Sequence, residues 1–293
     1  MTDDDKSVKT RRTESGRTLE EPQIPTTLVY RVAPGTRVRL DEIDPDNTGD
    51  VQGKEEAQEE LEKLVERLSE LQERLFAENR QSMLVVMQAL DTGGKDGAIR
   101  GVFSGVNPQG CRVWPFKAPT PEELDHDFLW RVHHHAPGRG MINVFNRSHY
   151  EDVLIVRVKN LAPETVWQKR FAAINDFERR LAENGTAILK FYLHISKDEQ
   201  KQRLQDRLDE PDKHWKFSVG DLKERALWDD YMVAFEDAIS RCSTDYAPWF
   251  VIPSNKKWFR NVAIARTVVQ TLEAMNPQFP ENHENLDGIV IPD

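Results

Sequence analysis

The chain has 293 residues, a formal net charge of −10 and 38% hydrophobic residues. No apolar run approaches the ~20 residues that span a bilayer, and the N-terminus lacks the apolar core of a secretory signal. The acidic balance argues against a protein that coats nucleic acid, and the two cysteines favour a reducing compartment over a disulfide framework. We therefore predict a cytoplasmic globular protein without membrane or nucleic-acid partners, with room for one large domain or two small ones.

The N-terminal region changes character near residue 26. Residues 1–25 are charged and poor in apolar groups, which predicts a disordered tail. Residues 27–40 have some strand character. Leucines then recur at steps of three and four residues over residues 54–79, which predicts a long amphipathic helix. We interpret residues 26–80 as an N-terminal extension whose helix packs on the domain or on a second copy of the chain.

Strands and helices alternate over residues 81–276. The predicted strands, mostly continuous apolar runs, span residues 83–89, 112–116, 140–146, 186–194 and 249–253. The predicted helices span residues 96–104, 121–135, 148–156, 163–184, 197–210, 220–241 and 256–275. This order predicts an α/β fold with a parallel sheet and a ligand site at the carboxyl ends of its strands. Residues 277–293 are predicted to form an extended tail.

The most informative segment, residues 83–100, runs from an apolar strand through a glycine turn and a lysine into a helix. This is the arrangement of a P-loop, in which backbone N–H groups and a lysine hold phosphate oxygens. A plain turn between a strand and a helix is the simpler alternative. The candidate phosphate-binding residues of the loop are Gly93, Gly94, Lys95, Asp96 and Gly97.

The loop departs from the usual G-x-x-x-x-G-K-[ST] pattern at two positions. Ala89 stands in place of the first glycine, and Asp96 stands in place of the magnesium-binding Ser or Thr. Asp91 adds a second carboxylate inside the loop. Because two carboxylates repel a phosphate unless a divalent cation bridges them, we interpret Asp91 as a magnesium ligand or a base.

Polar residues follow the third predicted strand. Asn146 ends it, at a place where P-loop kinases often have a magnesium-binding carboxylate. Arg147 comes next and could direct its charge at a transferred phosphoryl group, although an arginine paired with a surface carboxylate is the alternative. Glu151 is a second candidate for the metal or for substrate selection.

Basic residues near the strand ends could form a local phosphate groove in this acidic protein. Lys117 lies at the end of the second predicted strand. Arg131 lies four residues after Asp127 on a predicted helix, so both lie on one face. A simple surface ion pair between the two has about the same weight as a role in phosphate binding.

Residues 197–220 form a basic stretch that is interrupted at Glu210 and Pro211. In nucleotide-type kinases, a basic hinged segment before the last strand closes over the phosphates and excludes water. We therefore predict a lid, with a solvated charged helix as the alternative. Its basic residues are Lys197, Lys201, Arg203, Arg207, Lys213 and Lys216.

With these motifs the chain resembles the polyphosphate kinase type 2 family, and class III within it. The matching segments, in chain order, are QALDTGGKDGAIR, SGVNPQG, FKAPTPEELDHDFLWR, FNRSHYEDVLIVRV, DRLDEPDKHWKFS and SNKKWFRN. The resemblance implies a thymidylate-kinase-like, three-layer P-loop fold with a helical lid. It also implies transfer of the terminal phosphoryl group of inorganic polyphosphate to AMP and ADP, with Mg²⁺, or Mn²⁺ in its place.

The resemblance further implies roles for single residues. The catalytic residues it indicates are Asp91, which also handles the metal, Lys95 and Arg147. Arg203 and Arg207 correspond to lid arginines that grip phosphates, and we add Arg131, Lys213 and Lys216 as candidate contacts. Many members have an aspartate where this chain has Asn146, which puts a metal bond there in doubt. Glu151 lies where the classes differ, which implies a role in choosing the acceptor.

We predict that residues 81–276 form a polyphosphate-dependent phosphotransferase that makes ADP from AMP and ATP from ADP. Two alternatives stay open from the sequence. One is an ATP-dependent nucleoside monophosphate kinase, and the other is a non-catalytic protein that binds polyphosphate or nucleotide. We also expect a homo-oligomer, because the helix over residues 54–79 is long and amphipathic.

Overall fold

The computed structural model describes residues 11–12, 18–19, 21–282, 284 and 289–292. Most of the predicted tail over residues 1–25 lies outside these ranges. Within it, β1 (Arg11–Arg12) pairs antiparallel with β2 (Thr18–Leu19). Ile24 also falls in the predicted tail, yet it is 7% exposed and belongs to the hydrophobic core. The packed part of the chain therefore begins before residue 26.

A sheet of five parallel strands forms the centre of the molecule. Its members are β3 (Ser82–Gln88), β4 (Cys111–Pro115), β5 (Ile142–Asn146), β6 (Thr186–His194) and β7 (Trp249–Pro253). Their order across the sheet is β4-β5-β3-β6-β7. The five predicted strands and the parallel α/β architecture are confirmed.

Helices cover both faces of the sheet, which explains why β3, β6 and β7 are continuous apolar runs. Successive side chains of β3 enter two separate hydrophobic clusters. Met83 and Val85 belong to the cluster on one face, and Leu84 and Val86 belong to the cluster on the other. This alternation is what a strand between two helical layers requires.

One helical layer contains α1 (Lys54–Glu78), α2 (Lys95–Phe103) and α10 (Lys257–Met275). α1 and α10 pack on each other, and Arg266 of α10 forms an ion pair with Glu60 of α1. The structure therefore places α1 on its own domain. The opposite layer contains α6 (Glu164–Glu183) and α9 (Trp228–Cys242).

The prediction of a single helix over residues 121–135 is wrong. The structure has two short helices, α3 (Pro121–Leu124) and α4 (Trp130–His133). Thr120 caps α3 in a reciprocal pair with Glu123, and the Asp127 carboxylate accepts from the Leu129 N–H in the break between the helices. Asp127 and Arg131 therefore share no helix, and the ion pair that was the alternative interpretation of these two residues does not form. Arg131 pairs with Glu123 instead, at 3.2 Å.

Three further predicted elements differ from the structure. Residues 148–156 form a 3-10 helix (His149–Asp152) and then α5 (Ile155–Val158). Residues 220–241 divide at Leu227 into α8 (Val219–Ala226) and α9. Residues 27–40 form turns with one isolated bridge between Arg31 and Phe250, because the chain reverses at Gly35, where φ is +77°. Apolar periodicity does not mark such breaks, since it indicates which positions face apolar surroundings and not where the backbone of a helix is interrupted.

The topology brings the motifs to one edge of the sheet. β3 lies between β5 and β6, and its carboxyl end leads into the loop over residues 89–94 and then α2. The predicted lid consists of α7 (Lys197–Asp209), a 3-10 helix (Pro211–Lys216) and α8. All of these elements meet at the carboxyl ends of the strands, where the sequence predicted the ligand site.

Candidate active site

The loop after β3 closes tightly around Gly93. Its N–H donates to the Leu90 carbonyl at 3.0 Å. A Cβ at Gly93 would lie 2.5 Å from the Cβ of Ala89, closer than any real contact allows. The alanine in place of the usual first glycine therefore fits because residue 93 has no side chain.

Gly94 makes room for a buried arginine. It has a φ of +97°, which favours glycine, and it precedes the first residue of α2. A Cβ there would lie 2.0 Å from Nη1 of Arg260. Arg260 is 3% exposed, its Nε and Nη2 atoms donate to the Asn261 side chain, and no carboxylate of the described residues pairs with it. Burial, with a further contribution from Arg203, lowers the pKa of Arg260 to about 10.

Arg260 is a residue of the site that the sequence reasoning missed. Arg260 lies in the segment SNKKWFRN, which follows the last strand in the chain, so the sequence alone does not place it beside the loop. Only the packing of α10 against α2 shows that this cation lies beside the loop.

Lys95 is the first residue of α2 and reaches back across the loop. Its Nζ donates to the carbonyl of Ala89 at 2.8 Å and to that of Leu90 at 3.4 Å. Burial lowers the pKa of Lys95, and the nearby Arg147 lowers it further. A partly desolvated ammonium held in this way is well placed to meet an anion at the start of the helix.

Asp91 and Arg147 form an ion pair between the loop and the segment after β5. Nη2 of Arg147 donates to Oδ1 of Asp91 at 3.0 Å. Arg147 has a φ of +62°, and its N–H donates to the Met87 carbonyl. Burial opposes its charge, but Glu151 and Asp91 outweigh burial and raise the pKa of Arg147. The arginine therefore stays charged and points at the loop.

Asn146 and Asp96 also contact each other. The Asn146 amide donates to Oδ1 of Asp96 at 2.6 Å. Asn146 therefore stands where a third carboxylate, besides Asp91 and Asp96, could lie. Its amide fixes the side chain of Asp96. Glu151 lies on the other side of Arg147, and burial raises its pKa.

The lid arginines differ from each other. Arg203 is 6% exposed, and its guanidinium donates to the carbonyls of Thr92 and Ser254 and to the carboxylate of Glu199. It therefore fastens the P-loop to α7 and to the end of β7. The phosphate contact that the resemblance implies for Arg203 stays a prediction. Arg207 is more accessible and bonds with the Lys216 carbonyl and with Asp221, each at 3.1 Å.

Arg131 does not line the cavity at the strand ends to which Lys117 contributes. Both of its terminal nitrogens donate to the Lys117 carbonyl at 3.0 Å, and its guanidinium stacks 5.2 Å from the ring centre of Phe116. Lys117 itself lines the pocket. Arg131 therefore acts on the site by holding the backbone of Lys117.

Two cavities lie on the two sides of the Asp91–Arg147 pair. The larger one, of about 540 Å³, has nine basic residues and three carboxylates in its lining, and we call it the basic cavity. Besides Arg147, its basic residues are Lys95, Lys117, Arg203, Arg207, Lys213, Lys216, Lys257 and Arg260. It brings together most of the predicted loop and lid residues, but Gly93, Lys197 and Lys201 are not in its lining.

The smaller cavity, of about 230 Å³, is lined by four carboxylates and one arginine, and we call it the acidic cavity. The carboxylates are Asp91, Glu151, Asp221 and Glu224, and the apolar lining includes Leu154, Ile155, Tyr231 and Phe235. Asp91 and Arg147 line both cavities. A group held at this ion pair would therefore touch the contents of both.

The site has the donor set that magnesium prefers when a phosphate substrate supplies the remaining ligands. In the described part of the chain, no three His, Cys, Asp or Glu side chains are arranged to hold a metal by themselves. Mg²⁺ commonly uses one or two protein carboxylates together with water and phosphate oxygens. Asp91 meets this requirement at the junction of the cavities, and Glu151 is a further carboxylate candidate in the same lining.

The family follows from a comparison with known sequences. A family model described as "Polyphosphate kinase 2 (PPK2)" matches residues 51–280. The chain belongs to this family. The match contains the loop, the segment after β5, the lid and α10, which are the elements that form the two cavities.

Individual relatives cover nearly the whole chain. An AMP/ADP-polyphosphate phosphotransferase from Meiothermus ruber is 56% identical over 263 residues, which are 89% of this chain and 98% of that protein. An ADP-polyphosphate phosphotransferase from Rhodopseudomonas palustris is 46% identical over 86% of this chain and 91% of its own length.

A solved structure confirms the fold. The crystal structure of polyphosphate kinase 2 from Arthrobacter aurescens TC1 matches with a TM-score of 0.86 at 46% identity, covering 92% of this chain and 95% of that one. The fold is therefore that of a P-loop kinase, as the sequence predicted. No helix among the described residues is long and apolar enough to cross a membrane.

Proposed function

We propose that this protein transfers the terminal phosphoryl group of inorganic polyphosphate to AMP and to ADP, giving ADP and ATP. The observation that carries the proposal is the pair of oppositely charged cavities that share Asp91 and Arg147. A reaction between a polyanionic donor and a nucleotide acceptor needs two binding sites that meet at the transferred group. The activities in the names of the Meiothermus ruber and Rhodopseudomonas palustris relatives agree with this assignment.

The basic cavity takes the polyphosphate. A chain of phosphates carries charge along its length, and nine cations in one lining neutralise it in a way that a single P-loop lysine does not. The terminal phosphate lies at the start of α2, beside Lys95 and the buried Arg260. There, backbone N–H groups and the helix dipole add to the side-chain charges.

The acidic cavity takes the acceptor, with its terminal phosphate directed at Arg147. The nucleoside lies against Tyr231, Phe235 and Leu154, which provide the apolar surface of the cavity. Carboxylates in the same lining can accept hydrogen bonds from sugar hydroxyls and from base amino groups. We assign Glu151, which has no ion-pair partner among the described residues, a part in the choice between AMP and ADP.

The transfer step occurs at the Asp91–Arg147 pair, which lines both cavities and which we call the shared wall. An oxygen of the acceptor's terminal phosphate attacks the terminal phosphorus of the chain, the bond from that phosphorus to its bridging oxygen breaks, and polyphosphate shorter by one unit leaves as an anion. The transition state is loose and anionic. Lys95 and Arg147 neutralise it, and Asp91 orients Arg147 through their ion pair. Mg²⁺, or Mn²⁺ in its place, would supply charge neutralisation between the phosphates when held by Asp91.

The proposal includes a cytoplasmic homo-oligomer. Cys111 and Cys242 are free thiols, which suits a reducing compartment. Leu161 and Val233 are exposed around a groove formed by the ends of α5, α6 and α9, and exposed apolar surface of this kind favours self-association. Sedimentation of the purified chain tests the oligomeric state.

One assay tests the function. The protein is incubated with AMP, Mg²⁺ and polyphosphate in the absence of ATP, and the products are separated and quantified. We expect ADP first and ATP later, with loss of both on addition of EDTA. No product from polyphosphate, together with ADP formation from ATP and AMP, would replace the proposal by a nucleoside monophosphate kinase. No product from either donor would indicate a non-catalytic protein that binds polyphosphate or nucleotide.

A further inference from the structure

A cluster of four buried polar side chains lies behind the shared wall. They are His149, Tyr150, Glu178 and Lys190, each at most 1% exposed, and we call them the buried cluster. Lys190 comes from the middle of β6 and Glu178 from α6. His149 and Tyr150 belong to the segment that carries Arg147 and Glu151 into the two cavities.

The hydrogen bonds of the buried cluster form a closed arrangement around Glu178. Its Oε1 accepts from the Tyr150 hydroxyl at 2.9 Å and is bonded to His149 Nε2 at 3.1 Å. Its Oε2 accepts from Lys190 Nζ at 2.6 Å. Lys190 also donates to the Tyr150 hydroxyl at 2.9 Å and to the Cys242 carbonyl at 2.6 Å. Hydrogen bonds to α6 and β6 therefore hold the segment after β5 in place.

Fold stability is a weak explanation for this arrangement. Removing two charges from water costs several kcal/mol per ion, and well-packed apolar residues often replace a buried ion pair without loss of stability. Burial raises the pKa of Glu178, but Lys190 and His149 outweigh it, and the resulting pKa is lowered. What a satisfied buried cluster provides is one defined geometry for the residues that it binds.

The segment held by the buried cluster needs such support. Arg147 has a φ of +62°, a conformation that is energetically unfavourable for residues other than glycine. It is followed by the buried Ser148, which accepts from Gln88 Nε2 and from the Tyr150 N–H. His149 and Tyr150 stand between Arg147 and Glu151 in the chain. A shift of either would move the side chains that border the two cavities.

We propose that Glu178 is a positioning residue for phosphoryl transfer, which acts through His149 and Tyr150 on the placement of Arg147 and Glu151. The inference rests on the proposed function, because it assigns Arg147 to the transferred group. A misplacement of about 1 Å at a reacting centre can lower a rate 100-fold. The expected effect is therefore on kcat rather than on binding of the donor, which uses the basic cavity.

The test uses Tyr150→Phe, because it removes one hydroxyl and its two bonds while the ring stays in the core. The matched control is Tyr192→Phe, since Tyr192 is 1% exposed and its hydroxyl has only a 3.9 Å contact with the Met232 sulfur among the described residues. We expect Tyr150→Phe to lower kcat about tenfold, with the KM for polyphosphate within twofold of wild type. Tyr192→Phe should leave both constants unchanged.

A double-mutant cycle with Arg147→Lys separates positioning from general destabilisation. If Tyr150 acts through Arg147, its substitution should lower kcat much less in the Arg147→Lys background than in wild type. A merely structural role gives equal factors in both backgrounds, and that result overturns the inference, as does an unchanged kcat in Tyr150→Phe. Absence of transfer by the wild-type protein would instead refute the proposed function, so the two failures are distinguishable.

Discussion

The basic and acidic cavities share a wall, but their charges are partnered differently. In the described part of the basic cavity, several cations have no carboxylate partner, which are Lys95, Lys117, Lys216, Lys257 and Arg260. In the acidic cavity, Asp91, Asp221 and Glu224 each form an ion pair, and Glu151 is the exception. The basic cavity therefore keeps its charge available for a ligand, whereas the acidic cavity presents less charge than its lining suggests.

Two arginine–carboxylate ion pairs connect the basic cavity with the acidic cavity. Arg147 pairs with Asp91, and Arg207 of the lid pairs with Asp221. Arg207 borders the basic cavity and Asp221 the acidic one, while both members of the first pair border both. A polyanion that binds the arginines therefore competes with the carboxylates of the other cavity. In the proposed function, this arrangement allows the acidic cavity to take an anionic nucleotide next to a polyanion, because the arginines lie between them.

The largest effect is expected at the shared wall. Asp91→Asn keeps the size of the side chain but removes the charge that holds Arg147 and that, in the proposed function, binds the metal, so kcat should fall by about 10²–10³-fold. Asp206→Asn is the matched control, because Asp206 lines the basic cavity and bonds with Gln202 rather than with an arginine. Steady-state kinetics with AMP and polyphosphate measure both. Near-normal kcat in folded Asp91→Asn would show that the shared wall is not the site of transfer.

The sequence predicted the parts of this site that depend on local pattern. Continuous apolar strands, the glycine turn and the basic stretch after β6 were sufficient to place the P-loop, Arg147 and the lid at one edge of a parallel sheet. The pattern could not show that residues 121–135 and 220–241 are broken. Those breaks depend on caps and turns, such as the Asp127–Leu129 hydrogen bond, that leave the apolar periodicity intact.

The sequence also could not sort cations by environment. Arg203 and Arg207 lie four residues apart on α7 and are equivalent in sequence. Both line the basic cavity, yet Arg203 is buried and bonded to the Thr92 and Ser254 carbonyls, whereas Arg207 is more accessible. Arg260 was overlooked for the same reason, since its place beside Gly94 depends on how α10 packs against α2. Burial of a charged side chain is decided by tertiary contacts and not by its neighbours in sequence.

The two lid arginines provide the next prediction. Arg207→Ala should raise the KM for polyphosphate about tenfold, a loss of about 1.4 kcal/mol in binding, and leave the free energy of unfolding within about 0.5 kcal/mol of wild type. Arg203→Ala should instead lower the free energy of unfolding by roughly 3 kcal/mol, because it leaves buried carbonyls and Glu199 without their partner. Urea unfolding and donor titrations, run on both variants, measure the contrast. Equal behaviour of the two variants would contradict the assignment of Arg203 to the loop.

The smallest effect is expected at the lid tip, where Lys213 and Lys216 differ in their partners. Lys213 forms an ion pair with Glu210 at 2.5 Å, whereas the Lys216 ammonium has, within the described part of the chain, only the ring of the exposed Trp215, 4.9 Å from its Nζ. A cation already paired with a carboxylate contributes less to binding of a polyanion. Lys216→Gln should therefore raise the KM for polyphosphate two- to threefold at low salt and Lys213→Gln by less, and both differences should shrink as salt screens the charges. Each variant is the control for the other in a salt titration of the KM, and a larger effect at Lys213 would show that the Glu210 pair opens when polyphosphate binds.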